Sequence, residues 1–419
     1  MLHSIKPEKA GRHAPDMSRA VEACVHCGFC LPTCPTYAAL GEEMDSPRGR
    51  IFLMKEALEG HLAPDEARPF IDNCLGCLAC ETSCPSGVRY GELLTPYRAW
   101  SQERLSRRPA DRLRRKLLLA VLPYPARFRA VARLGRIAKP FARWLPGTLR
   151  PMLGLVPDRL PSAERLPAIA PAHGPRRARV ALLSGCAQQV LAPSINRATL
   201  EVLAANGVEV AIPGAQGCCG ALALHVGEES AAMDAARRNL AAFPRDVDAI
   251  VTNAAGCGSG LREYGLLFRG TAMEAEAQAF AGRVCDVSVF LDRLGLIAPT
   301  APPAAIRVAY HDACHLAHAQ GVRQAPRRLL SAISGLQLVE PAEWELCCGS
   351  AGSYNLEHPE TAAILGRRKA ANLIASGAEA VATGNIGCLT QIQWHLQALG
   401  ARIPVRHTLE FLADAYRAC

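Results

Sequence analysis

Two short cysteine runs, "CVHCGFCLPTCP" and "CLGCLACETSCP", restrict the possible fold of this chain more than any other feature in it. Cys24, Cys27, Cys30 and Cys34 lead into Pro35, and Cys74, Cys77, Cys80 and Cys84 lead into Pro85, so one spacing, C-x2-C-x2-C-x3-C-P, occurs twice. Three thiolates two residues apart on a tight curl can reach three irons of a [4Fe–4S] cube, and the fourth iron then needs a distant ligand. Gly28 and Gly76 suit such a curl because glycine accepts a positive φ, and the prolines turn the chain away after the last cysteine. Structural zinc also takes four thiolates, but it uses paired C-x2-C knuckles rather than a third and fourth cysteine at these steps.

In two-cluster ferredoxins the distant ligand is the fourth cysteine of the other run. On that pattern Cys24, Cys27, Cys30 and Cys84 hold a first [4Fe–4S] cluster, and Cys74, Cys77, Cys80 and Cys34 hold a second. Between the runs lies "DSPRGRIFLMKEALEG", where Ser46 can cap a helix, Pro47 fits its first position, Gly60 can end it, and Ile51, Met54 and Leu58 mark its apolar face. A helix joining the motifs points to an all-helical two-cluster domain over residues 1–100 rather than a compact β-rich ferredoxin.

Eighteen cysteines in a secreted chain would suggest disulfides, but "MLHSIKPEKAGRHAPDMS" has no apolar core for a signal peptide, so the thiols are expected to be reduced and cytoplasmic. No apolar run approaches the roughly 20 residues that span a bilayer. From Arg104 to Arg150 the chain carries fourteen Lys and Arg against one acidic residue, Asp111, a net of +13 in a protein whose total is +9. Aromatic and leucine residues interrupt the charges, as in a basic amphipathic helix lying on an anionic membrane or an acidic partner; a solvated interdomain helix fits the composition as well. No groove-reading motif or aromatic platform accompanies the charge, so nucleic acid is not expected. The proline-rich stretch Pro151 to Pro175 reads as a linker, and residues 101–176 form a basic helical segment plus linker.

Beyond it the chain repeats with a period of about 130 residues. Strand-like "RVALLSGC" reaches Cys186 and "RVAYHDAC" reaches Cys314; "VEVAIPGAQGCCG" matches "LQLVEPAEWELCCG", and "DAIVTNAAGCGSG" matches "AEAVATGNIGCLTQ". Residues 177–298 and 299–419 thus read as two α/β units of largely parallel strands, related as pseudo-twofold halves. Each half places four cysteines just after strands: Cys186, Cys218, Cys219 and Cys257, then Cys314, Cys347, Cys348 and Cys388. Adjacent thiolates can serve one centre only on irregular backbone, which Gly220 and Gly349 permit. Buried reduced cysteines acting as small hydrophobes are the competing reading, and repetition with matched surroundings argues against it.

This pattern resembles the cysteine-rich CCG domain of heterodisulfide reductase catalytic subunits and several respiratory dehydrogenase subunits. With the helical two-cluster domain, "ACVHCGFCLPTCPTY", "CPSGVRYGELL", "AYHDACHLAHAQGVRQAPRRLL", "CCGSAGSYNLEHPE" and "GNIGCLTQ" are similar to the iron–sulfur subunits of bacterial glycolate oxidases. The resemblance implies an α+β multidomain chain with two [4Fe–4S] clusters and one or two further clusters in the CCG halves. It also implies a partner subunit that uses FAD to oxidise glycolate, and D-lactate more slowly. Electrons would pass through this chain to a quinone or other membrane acceptor, with peripheral contact at the inner face of the cell membrane. Iron–sulfur subunits of lactate or glycerol-3-phosphate dehydrogenases, and a heterodisulfide-type reductase, are the alternatives. The sequence has no dinucleotide fingerprint after a strand and no catalytic nucleophile with a base partner, as expected of a conductor for another subunit's chemistry.

One departure stands out. The heterodisulfide reductase pattern ends in C-x2-C, and here the last position is Gly260 or Gln391, leaving four cysteines per half. His311, Asp312, His315 and His318 surround Cys314 and could tune a cluster or simply complete hydrogen bonds. Arg48, Arg50 and Arg89 could offset cluster charge, and Cys285 and Cys419 lack counterparts in the other half.

Overall fold

The computed structural model describes residues 1–144, 153–154, 156–157, 159–300 and 305–418. Cys419 and parts of the basic segment and of the proline-rich stretch lie outside these residues.

The N-terminal unit is helical, with α1 (Ala14–Ala23), α2 (Pro47–Glu59) and α3 (Tyr90–Gln102) around a core of Met17, Val21, Met54, Leu58, Leu93 and Tyr97. Helix α2 forms as the sequence predicts: the Ser46 hydroxyl accepts from Gly49 N at 3.1 Å, and Gly60 ends the helix at φ +89°. The basic segment forms α4 (Pro109–Val121) and α5 (Pro125–Ala138). One face of α4 is tied down by buried Arg115, which reaches Glu357 at 3.1 Å and the Val226 carbonyl at 3.2 Å. Leu113, Leu117, Leu134 and Ile137 on these helices are more than half exposed.

Two sheets follow. The first has the order β1–β3–β2–β4–β5, with β1 (Ile169–Ala170), β2 (Ala178–Leu183), β3 (Val208–Ala211), β4 (Ala249–Thr252) and β5 (Val284–Asp286). The second has the order β7–β6–β8–β9, with β6 (Ile306–His311), β7 (Leu336–Val339), β8 (Ala380–Thr383) and β9 (Val405–His407). Apart from β1, which pairs antiparallel with β3, every pairing is parallel. The stretch read as a linker therefore contributes an edge strand, with Ile169 opposite Ala211.

Setting β1 aside, each sheet runs second strand, first, third, fourth, a doubly wound order whose crevice opens at the C-terminal ends of the first and third strands. Helix α6 (Ser194–Ala205) of the first half packs on α13 (Thr408–Arg417) of the second, and α9 (Val287–Leu294) packs on α10 (Gln324–Ser331). The helix between the first two strands of each half thus meets the last helix of the other. A shared core of Val202, Leu203, Leu291, Leu330, Leu409 and Leu412 is buried between them. Each such aliphatic side chain contributes roughly 1.5–3 kcal/mol.

Candidate iron–sulfur and cysteine-rich sites

The two ferredoxin runs fold into loops of the same shape. Positive φ occurs at the second and fourth residues after the first cysteine of each: His26 (57°) and Gly28 (85°), then Gly76 (63°) and Leu78 (61°). The sequence shows glycine at only one of these positions in each run, so the identical curl is legible only in part. Cys24, Cys27, Cys30 and Cys84 line one cavity together with Cys80. Cys34, Cys74, Cys77 and Cys80 line a second, beside Arg50 and Tyr90. The fourth cysteine of each run thus stands with the first three of the other, as two cubes with exchanged ligands require.

The two cavities differ in electrostatics. Cys27 is exposed between the exposed side chains of Val25 and Phe29, whereas Cys74, Cys77 and Cys80 are buried. Arg50, 1% exposed, donates to the Phe70 carbonyl at 2.7 Å and to Asp45 at 2.9 Å, and its Nη1 lies 3.8 Å from Cys34 Sγ. Arg98 donates to the Cys74 carbonyl at 2.6 Å. Burial opposes ionisation of the Cys74 thiol, but Arg50 and Arg98 together with the Gly76 N–H hold it below its ordinary range. In the first cavity burial raises Cys30 to about 11, with no buried arginine to offset it. Arg89 is exposed, pairs with Glu92 and lines neither cavity.

In the cysteine-rich halves, the ends of three adjacent strands bring the thiols together. Cys186 follows β2, Cys218 and Cys219 follow β3, and Cys257 lies in the first turn of α8 (Ala255–Arg262) after β4. Cys314, Cys347, Cys348 and Cys388 hold the matching places after β6, β7 and β8, with Cys388 in the first turn of α12 (Ile386–Ala398). Cys186 Sγ lies 3.7 Å from Cys218 Sγ, and Cys314 Sγ lies 3.9 Å from Cys347 Sγ. The hydrogen bond to Cys218 and then burial push the Cys186 thiol far up, and Cys347 and burial do the same to Cys314. Four thiols this close cannot all ionise without a compensating cation, and the donor set is one that soft metals and iron–sulfur clusters select.

The glycine of each Cys-Cys-Gly is left-handed, at φ +85° for Gly220 and +87° for Gly349. Each also lies against the helix that follows, α7 (Glu229–Ala242) or α11 (Pro359–Ala375). A residue on that helix, not singled out in the sequence, pins the loop in both halves. Asn239 accepts from Gly217 N at 2.9 Å and donates to the Cys218 carbonyl at 3.0 Å; Lys369, fully buried, donates to the Glu343 and Trp344 carbonyls at 2.5 and 3.3 Å. The available signal was a polar residue directly after "RR" in both helices, "ARRNL" and "GRRKAA".

The fifth-cysteine positions are closed by packing. A Cβ at Gly260 would stand 2.7 Å from Ala221 Cβ. Gln391 accepts from Asn355 at 3.1 Å and donates to the Ala362 carbonyl at 3.3 Å. The histidines divide into two groups. His315 Nε2 meets the Gly76 carbonyl at 3.0 Å, His318 Nδ1 meets Thr82 Oγ1 at 2.8 Å, and His225 Nε2 meets the Leu75 carbonyl at 3.1 Å, so these three clasp the second ferredoxin loop. His311 instead lies among Cys348 and Cys388. Asp312 is taken by Arg327 at 2.6 and 2.9 Å, and Cys285 sits on β5, away from both thiol groups. Through the clasp, Cys77 is buried in one apolar cluster with Cys314 and Cys347.

The ferredoxin unit and both halves meet at a cavity lined by Gly76, Arg98, His225, Gly260, Glu263 and His315. Burial raises the Glu263 carboxyl to about 7, against a 3.4 Å hydrogen bond from Ser259 Oγ. The folded chain thus holds this proton more tightly than the unfolded chain, and the stability linked to it is lost as pH rises through about 7. Between pH ~5 and ~8 the loss is about 2 kcal/mol after allowance for partial exposure. Glu263→Gln is expected to remove that part of the pH dependence, read as a smaller fall in melting temperature between the two pH values.

Comparison with known proteins agrees with this geometry. A 4Fe-4S dicluster domain family matches residues 20–88, and a cysteine-rich domain family matches residues 180–262 and 308–393. The glycolate oxidase iron–sulfur subunit of Escherichia coli (strain K12) is 38% identical over 403 residues, covering 94% of each chain. The chain belongs to the family of glycolate oxidase iron–sulfur subunits. It is thus an electron-transfer iron–sulfur protein of an oxidoreductase complex, and iron–sulfur clusters are its cofactors. A probable glycolate oxidase iron–sulfur subunit of Bacillus subtilis (strain 168) is 37% identical over 417 residues, covering 94% of this chain and 93% of that one. A solved structure of a hypothetical protein from Helicobacter pylori shares the fold, with a TM-score of 0.52 at 12% identity over 88% of this chain and 66% of the other. Among the described residues no helix is long and apolar enough to cross a membrane.

Proposed function

We propose that this chain carries electrons away from a partner subunit in which FAD oxidises glycolate to glyoxylate, and D-lactate more slowly, and delivers them to a quinone or other acceptor at the inner membrane face. In this reading Cys24, Cys27, Cys30 and Cys84 hold one [4Fe–4S] cluster, and Cys74, Cys77, Cys80 and Cys34 hold the other. Bound clusters supply one-electron steps, which divide the two-electron oxidation of a flavin. The observation that carries the proposal is the unbroken succession of thiol groups, from exposed Cys27 to buried Cys77 and on to Cys314 and Cys347.

The chain's own residues suit each stage. Val25 and Phe29 give a partner an apolar surface around Cys27. Arg50 and Arg98 supply positive charge beside the second group and favour an added electron there. The exposed leucines and isoleucine of α4 and α5, set among arginines, fit the interfacial layer of an anionic membrane.

Co-expression with an FAD-containing 2-hydroxy-acid oxidase from the same organism tests the proposal. A stable complex that reduces an artificial dye on addition of glycolate is expected, and a flavoprotein that oxidises only lactate or glycerol 3-phosphate would move the chain to a relative's role. Disulfide reduction by the isolated chain would contradict the conductor reading altogether.

A further inference from the structure

We propose that His311 is a metal ligand of the second cysteine-rich centre, joining Cys314, Cys347, Cys348 and Cys388 in a four-cysteine, one-histidine set. A ring nitrogen of His311 and the sulfurs of Cys348 and Cys388 all lie within 4.8 Å of one another. Imidazole and thiolate on a single ion, at about 2.0 and 2.3 Å, stand about 3.5 Å apart, so small side-chain movements close the site. His311 is 1% exposed, and its Nδ1 is buried without a hydrogen-bond partner. Buried polar nitrogens are paired in nearly all native structures, so a buried imidazole that stands beside two thiols and leaves a nitrogen unpartnered calls for an electrophile.

The repeat shows that this is a property of one half alone. His311 is the last residue of β6, and its counterpart at the end of β2 is Leu183. Among the described residues the first centre therefore offers Cys186, Cys218, Cys219 and Cys257, with Leu183 in place of the histidine. In the second, the place a fifth cysteine would take is held by Gln391, whose amide is engaged with Asn355 and Ala362. The fifth donor comes instead from the end of strand β6. With a neutral imidazole where a five-cysteine centre has its fifth thiolate, this centre carries one negative charge fewer than a five-cysteine centre, which raises its potential relative to that arrangement. Cys314 and Cys347 pack against Cys77, so the half that carries His311 is the one beside the second ferredoxin group.

The inference rests on metal in the second half and not on the identity of the flavin partner, so each can fail alone. X-ray absorption at the iron and zinc edges of the anaerobically purified full chain tests it. Every other proposed ligand is sulfur, so a nitrogen shell with imidazole multiple scattering can come only from histidine. The native chain is expected to show it at one of the two edges. His311→Leu, which copies the first half, is expected to lose it and to release that metal to a chelator about 10-fold faster, with the ferredoxin irons retained. His311→Cys is expected to keep the metal without the nitrogen shell. All-sulfur spectra from the native chain, metal in the ferredoxin sites alone, or a His311→Leu protein with unchanged spectrum and metal count would each overturn the assignment. The native spectrum decides the matter even if the variants do not fold.

Discussion

Replacing Cys77 with alanine is expected to remove about four irons per chain and to reduce glycolate-driven dye reduction by the complex to background, while the flavin partner still oxidises its substrate with an acceptor of its own. Cys77 is the thiol at which two parts of the molecule meet. It lines the cavity shared by Cys34, Cys74 and Cys80, and it packs in one cluster with Cys314 and Cys347. Its loss leaves three thiolates for four irons and breaks the path where the second ferredoxin group meets the second cysteine-rich half. Cys285→Ser is the matched control. Cys285 lies on β5 against the core and has no cysteine neighbour among the described residues, so iron content and dye reduction are expected to stay at the native level. Iron and sulfide analysis on anaerobically purified protein reads both variants. A Cys77→Ala chain with full iron would show that Cys77 holds no cluster iron.

The second large effect is expected at Gly349. An alanine there must hold φ near +87°, a left-handed backbone that costs roughly 1–2 kcal/mol. Its Cβ would also stand 2.7 Å from the Ala362 carbonyl oxygen and 3.1 Å from Ala362 Cα. Both contacts are with helix backbone, which cannot rotate away, so the total cost is expected to be about 3 kcal/mol or more. Gly220 shares the φ, but its nearest contact is the Ala232 oxygen at 3.2 Å, so Gly220→Ala is expected to cost about 1–2 kcal/mol. Thermal unfolding of the two variants should therefore differ by several degrees, Gly349→Ala being the lower. Equal effects would mean that the close approach to α11 carries no weight.

How far the sequence could be read depended on whether a feature is local. The helix Pro47–Glu59 was legible because its cap, first proline and terminal glycine are consecutive in the chain. The repeated order of strands and cysteines in the two halves was legible because duplication reports on itself. The curl of the ferredoxin loops was legible only in part, since His26 and Leu78 take left-handed backbone that nothing in their side chains announces. The edge strand Ile169–Ala170 was missed because two residues in a proline-rich stretch give no periodicity, and only pairing with β3 defines them. Contacts between distant segments were beyond reach: the clasp of His225, His315 and His318 on the second ferredoxin loop joins residues more than a hundred positions apart. Of the histidines around Cys314, the sequence could not separate the one facing thiols from those making hydrogen bonds. That choice depends on which strand end each side chain leaves.

The measurement closest to the central claim is rapid-freeze electron paramagnetic resonance on the complex after mixing with glycolate. If the chain carries the electrons, signals of reduced [4Fe–4S] clusters appear within a single turnover, and Cys77→Ala blocks the ones beyond the first cluster. If glycolate is consumed while every cluster in this chain stays oxidised, the electrons leave by another route and the account is contradicted.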